Sequence, residues 1–114
     1  MIRYLLIVLF ALVICVNNAL AGEYQLDWPV SGEELIYHSC GCADSCWVAE
    51  VRQAKAEKPL IAKLRCDCEK LYFTDKTGVE RVVAKNCDEL NTDNKMDLIP
   101  ERIKQLQSHF NPHR

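Results

Sequence analysis

The chain has 114 residues, carries 14 basic and 16 acidic side chains for a net charge of −2, and is 49% hydrophobic. This near balance supplies no basic stripe for a nucleic-acid backbone and no cationic amphipathic face for an anionic membrane. The length allows one small domain with a thin core, and seven cysteines in so short a chain point to cross-links.

Residues 1–21 read as a cleavable export signal. Arg3 provides the only charge, and Leu5 to Val16 form an unbroken apolar run of 12 residues. That run is short of the ~20 residues a membrane span needs. Ala19-Leu20-Ala21 is a small-residue cleavage site, so the mature chain is expected to start at Gly22. Lipid attachment at Cys15 does not fit, because bulky Ile14 stands where a small residue is required. Removing 21 of the 114 residues leaves a single domain of 93, with six cysteines and a net charge of −3. An even cysteine count in an exported chain is the usual setting for structural disulfides. The expected location is periplasmic or secreted, with no stable membrane anchor after cleavage.

Gly22 to Gly32 reads as an extended lead-in, broken by Trp28-Pro29 and Ser31-Gly32. The first strand is expected over Glu34 to Cys40. Its alternation sets Ile36, His38, Cys40 and Cys42 against Leu35, Tyr37 and Ser39. Gly41 to Ser45 is a turn. Cys46 to Gln53 fits a strand with Trp47, Ala49 and Val51 on one face. It also fits a helix with Trp47, Val48, Val51 and Ala54 as its stripe, but the strand followed by a charged loop is the reading adopted.

Leu60 to Cys68 is the clearest strand, with Leu60, Ala62, Leu64, Cys66 and Cys68 on one face and mostly charges on the other. The pattern changes parity after Glu69, which predicts a bulge or bend near Lys70. Asp75 to Gly78 is a tight turn, and Val79 to Lys85 the return strand. Asn86 to Lys95 reads as a surface loop. A helix is expected over Asp97 to Phe110, capped by Asp97, with Pro100 in its first turn and Ile99, Ile103, Leu106 and Phe110 as its stripe. The expected fold is α+β and mainly antiparallel β: a small disulfide-stabilised sheet of about four strands plus a C-terminal helix.

The six mature cysteines are Cys40, Cys42, Cys46, Cys66, Cys68 and Cys87. On a strand, neighbours in a C-x-C pair lie too far apart for a relaxed disulfide, so each seeks a distant partner. Laying the first strand against Leu60 to Cys68 predicts Cys40 with Cys68, Cys42 with Cys66, and Cys46 with Cys87. The alternative is a thiolate site for zinc or copper(I) at Cys40, Cys42, Cys66, Cys68 and His38. Only Cys42-x₃-Cys46 has zinc-like spacing, and export favours oxidation, so no metal and no other cofactor is expected.

A thiol oxidoreductase would need C-x-x-C at a helix start, which is missing. Asn91, Asp93 and Asp97 imitate part of a calcium loop, but Lys95 occupies a ligand position and the closing glutamate is missing. No catalytic residue is nominated. Tyr and Trp anchor protein interfaces, which singles out Tyr37, Tyr72 and Phe73 and the hairpin from Tyr72 to Val79. The function expected is an exported, non-catalytic protein-binding domain, of the inhibitor or immunity type, acting on an extracytoplasmic enzyme.

Overall fold

Alternation of apolar and polar side chains turns most of this chain into strand. The computed structural model describes residues 23–111. The export signal, its cleavage site, Cys15 and His113 lie outside the described residues. Six strands occur in order: β1 (Glu23–Leu26), β2 (Glu33–Gly41), β3 (Cys46–Gln53), β4 (Leu60–Asp67), β5 (Leu71–Thr74) and β6 (Glu80–Ala84). One helix follows, α1 (Lys95–Phe110). Each strand pairs antiparallel with the next, so the sheet is an up-and-down meander in sequence order.

The class is α+β and antiparallel as expected, but the sheet has six strands rather than four. Strand β1 comes from the lead-in, whose four residues are too few to reveal an alternation. It gains its place by pairing Tyr24 with Tyr37 and Leu26 with Leu35. Strand β5 comes from the expected bulge near Lys70, which is in fact a chain reversal. Asp67 Oδ1 accepts from the N–H groups of Glu69 and Lys70 at 3.1 and 2.8 Å. Cys68 adopts a positive φ of 80°. This turn folds β5 back along β4, with Leu64 opposite Phe73 and Cys66 opposite Leu71.

One face of the sheet is buried. Leu35, Tyr37, Trp47, Ala49, Val51, Ala62, Leu64, Cys66, Leu71 and Phe73 form the core with Ile99 and Ile103 of α1. Leu106 and Phe110 pack at its margin, so the expected helical stripe is the one that docks. The helix starts at Lys95, two residues before the expected cap, and Asn94 occupies the cap position without a side-chain hydrogen bond. Pro100 therefore sits in the second turn and removes the N–H that would bond Met96.

The disulfides are Cys40–Cys46, Cys42–Cys68 and Cys66–Cys87, with Cα separations of 4.9, 6.0 and 6.2 Å. None matches the expected pairing. That pairing required β2 beside β4, whereas β3 lies between them, with Gly41 opposite Cys46 and Trp47 opposite Cys66. Cys40 thus meets Cys46 across its own hairpin. Cys68 has left the strand for the turn, where it is exposed rather than facing the core. All three bridges gather at one end of the sheet.

Candidate functional site

Two places on this scaffold merit functional consideration: the end of the sheet where the disulfides gather, and the face that α1 leaves uncovered.

At the disulfide end, the β2–β3 connection runs through the left-handed region. Gly41, Cys42, Ala43 and Asp44 have φ values of 118°, 53°, 50° and 71°. That conformation costs roughly 1–2 kcal/mol per non-glycine residue, so something must hold it. The bridges from Cys40 and Cys42 pin the loop from two sides. Ser45 N–H donates to the Cys42 carbonyl at 3.0 Å, and Ser39 Oγ donates to Asp44 Oδ1 at 3.2 Å. The Cys68 N–H donates to the Ser45 carbonyl at 3.1 Å and ties in the neighbouring turn.

Beside this loop lies an open cavity of about 380 Å³, lined by residues that include Tyr24, Tyr37, Asp44, Asn91, Asp93 and Lys95. Lys95, the first residue of α1, is only 8% exposed. Its Nζ donates to the Asp44 carbonyl at 2.7 Å and to Tyr37 Oη at 3.3 Å. It also stands 5.8 and 6.0 Å from the Tyr37 and Trp47 ring centres, within cation–π range. Burial lowers the Lys95 pKa. Tyr37 is pushed up to about 12, first by burial and then by Tyr24 and Asp44. The Trp47 indole N–H donates to Asn91 Oδ1 at 2.8 Å and fixes the far wall.

The uncovered face carries a row of side chains that crosses every strand. Glu23, His38, Val48, Arg65, Tyr72 and Val82 are successive partners in the register. His38 lies between Glu23 and Glu50, at 3.6 and 3.3 Å. Glu50 also pairs with Arg52. Arg65 binds Glu80 through two hydrogen bonds of 2.9 Å, and its guanidinium lies 4.0 Å from the Tyr72 ring centre. A hydrogen bond to Asp67 raises the Tyr72 pKa. Val82, at the end of the row, is 55% exposed, and Val79 is 47% exposed.

Of the three aromatic residues expected at an interface, Tyr72 alone lies on this face. Tyr37 and Phe73 are 1% and 0% exposed and belong to the core. The reason is parity: Tyr37 shares its face with Leu35, and Phe73 with Leu71. Phe73 stacks on Phe110 at 5.8 Å and anchors the end of α1. The thiolate-metal alternative loses its ligands, because all six sulfurs are bonded to one another. Among the described residues, no three His, Cys, Asp or Glu side chains converge to hold a metal.

Lys95 was missed because it reads as the last residue of a polar loop. A signal was present: continuing the Ile103 and Ile99 stripe back by one helical turn lands on Lys95. No family model, no curated protein and no solved structure matches the chain.

Proposed function

We propose that the chain is an exported, non-catalytic domain that binds another protein through the uncovered face of its sheet. The observation that carries this reading is the row from Val48 through Arg65 and Tyr72 to Val82. It joins the exposed apolar side chain of Val82 to a tyrosine whose ring centre lies 4.0 Å from a paired guanidinium. Tyr and Arg are the residues that dominate binding energy at protein interfaces. Here both are pre-set by the Arg65–Glu80 fork, so little side-chain freedom remains to be lost on docking. An enzyme-inhibiting or immunity role suits a rigid, disulfide-braced sheet presenting a fixed surface.

One consideration favours binding over catalysis: most charged groups on the face are matched to one another, as Glu50 with Arg52 and Arg65 with Glu80 are, and do not converge on a reacting centre. Export is supported by the disulfide frame together with the leader pattern.

The test is capture of partners from the extracytoplasmic fraction by the native protein and by the Tyr72→Ala/Val82→Glu double variant. A stoichiometric partner that the native protein retains and the variant loses supports the reading. A partner held equally by both places binding elsewhere, and the absence of any partner contradicts the proposal.

A further inference from the structure

The three bridges occupy unequal places in the fold. Cys66–Cys87 lies in the core, with its residues 1% and 3% exposed, out of reach of an external thiolate. Cys40–Cys46 joins residues that belong to strands β2 and β3, and Cys46 is flanked in the sheet by Gly41 and Asp67. Of the three, Cys42–Cys68 alone joins two loops. Cys42 lies in the short helical turn between β2 and β3, Cys68 lies in the turn between β4 and β5, and both residues are exposed.

Both ends of this bridge are held in the left-handed region, Cys42 at φ 53° and Cys68 at φ 80°, whereas none of the other four bridged cysteines is. A side chain with a Cβ adopts that conformation only at a cost. Breaking the Cys42–Cys68 bond therefore lets two residues relax, and it breaks no strand pairing. Exposure and conformational cost together open a disulfide to exchange, whereas a buried bridge resists reduction. The backbone around the site has other ties. The Cys68 N–H donates to the Ser45 carbonyl at 3.1 Å, and Lys95 Nζ donates to the Asp44 carbonyl at 2.7 Å. These bonds do not need the sulfur link, so they keep the two thiols near each other for closure.

We propose that Cys42–Cys68 is a thiol–disulfide exchange site, opened and closed by an external dithiol while the other two bridges stay oxidised. A thiolate of the dithiol attacks one sulfur of the bridge. The S–S bond breaks, and the other cysteine leaves as a thiolate that takes up a proton. The second thiol of the reagent loses its proton and attacks the mixed disulfide. It closes the reagent's own disulfide and releases the remaining cysteine. Two electrons pass from the dithiol to the bridge, and the reverse sequence restores it. Opening removes one of the two covalent pins on the β2–β3 loop and leaves the Cys40–Cys46 pin in place. The site uses none of the residues proposed to bind a partner on the uncovered face, so the two readings are tested separately.

The test titrates the native, fully oxidised protein with dithiothreitol at neutral pH and without denaturant. Samples are quenched with acid, free thiols are alkylated, and the labelled cysteines are assigned by peptide mapping. Cys42 and Cys68 should be labelled as a pair at a roughly tenfold lower dithiothreitol concentration than the other four, the factor that release of one left-handed residue supplies. Nuclear magnetic resonance of the form with this bridge open should keep separate indole N–H signals for Trp28 and Trp47, which donate to Glu33 and Asn91 in the folded domain. Oxidised dithiothreitol should then abolish both labels. Reduction of all three bridges in one step, earlier labelling of any other cysteine, or collapse of the indole signals when this bridge opens would overturn the proposal.

Discussion

Lys95 donates to the backbone carbonyl of Asp44 across 51 residues of sequence, at 2.7 Å. This contact joins the start of α1 to a loop that runs through the left-handed region, and a buried cation helps to fix a strained turn. Replacing Lys95 with Met keeps most of the apolar stem but leaves the Asp44 carbonyl without its donor. We expect a loss of about 1–3 kcal/mol, the usual worth of a hydrogen bond from a charged donor. Urea unfolding measures it, and a change below a few tenths would show that the contact contributes little.

Tyr37 should ionise well above the ordinary tyrosine range. Its folded pKa of about 12 exceeds the unfolded value of about 10. In that interval the folded state retains a proton that the unfolded state has lost. Its contribution to stability is therefore full below about pH 10 and lost as pH rises toward about 12. Lys95 acts in the opposite sense, because its pKa is lowered. Ultraviolet titration of tyrosinate should show a late step that Tyr37→Phe removes. A late step that survives in that variant would contradict the assignment.

The three bridges should differ in worth. They close loops of 6, 26 and 21 residues for Cys40–Cys46, Cys42–Cys68 and Cys66–Cys87. Chain entropy alone assigns about 2.2, 3.5 and 3.3 kcal/mol respectively. Cys66 and Cys87 are also buried, at 1% and 3% exposure, so their replacement by serine adds desolvated hydroxyls to the core. Paired serine variants should rank Cys66/Cys87 as most damaging and Cys40/Cys46 as least in thermal unfolding. The reverse ranking would mean that the exposed loop, rather than the core, governs stability.

Acid should weaken the β5–β6 hairpin. Asp75 is 4% exposed and accepts from Thr77 N–H at 2.9 Å, Val79 N–H at 3.3 Å and Arg81 at 2.7 Å. The Thr77 hydroxyl and Arg81 hold its pKa far below the usual carboxylate range. The folded state therefore favours the charged form. The stability this confers is present above the ordinary aspartate pKa of about 3.9 and lost as pH falls below it. Asp75→Asn should flatten the acid limb of a stability–pH curve. An unchanged slope between native and variant would refute this role.

Phe73→Ala should cost about 3–5 kcal/mol, as for other fully buried aromatic residues. It removes the ring stacked on Phe110 as well as core volume. Hydrogen exchange should then show the last turn of α1 opening before β3 and β4. Uniform destabilisation without preferential fraying would mean that the ring stack does not anchor the helix.

Much of the fold is legible in the sequence wherever alternation runs long. Leu60 to Cys68 announces itself as a strand, which the structure ends at Asp67, and Ile99, Ile103, Leu106 and Phe110 announce the helix, whereas Cys46 to Gln53 fits a helical stripe as well as the strand it forms. Strands β1 and β5 do not, because four residues are too few to display a period and their pairing is set by neighbours. The cysteine pairing depended on strand order, and one misplaced neighbour altered every bridge. Tyr37 and Phe73 show how aromatic identity misleads: their strand partners determine burial, and both turn inward. Lys95 is hardest to read, since a lysine on a buried stripe is recognised only when the helix is extended back to include it.

The proposal of a protein-binding sheet face is tested most directly by photo-crosslinking in the producing cells. A photoreactive side chain is placed at Val82 on the uncovered face, and separately at Glu101, which is exposed on α1. A discrete adduct with one partner protein is expected from position 82 and none from position 101. An adduct from position 101 alone, or no adduct from position 82, would contradict it.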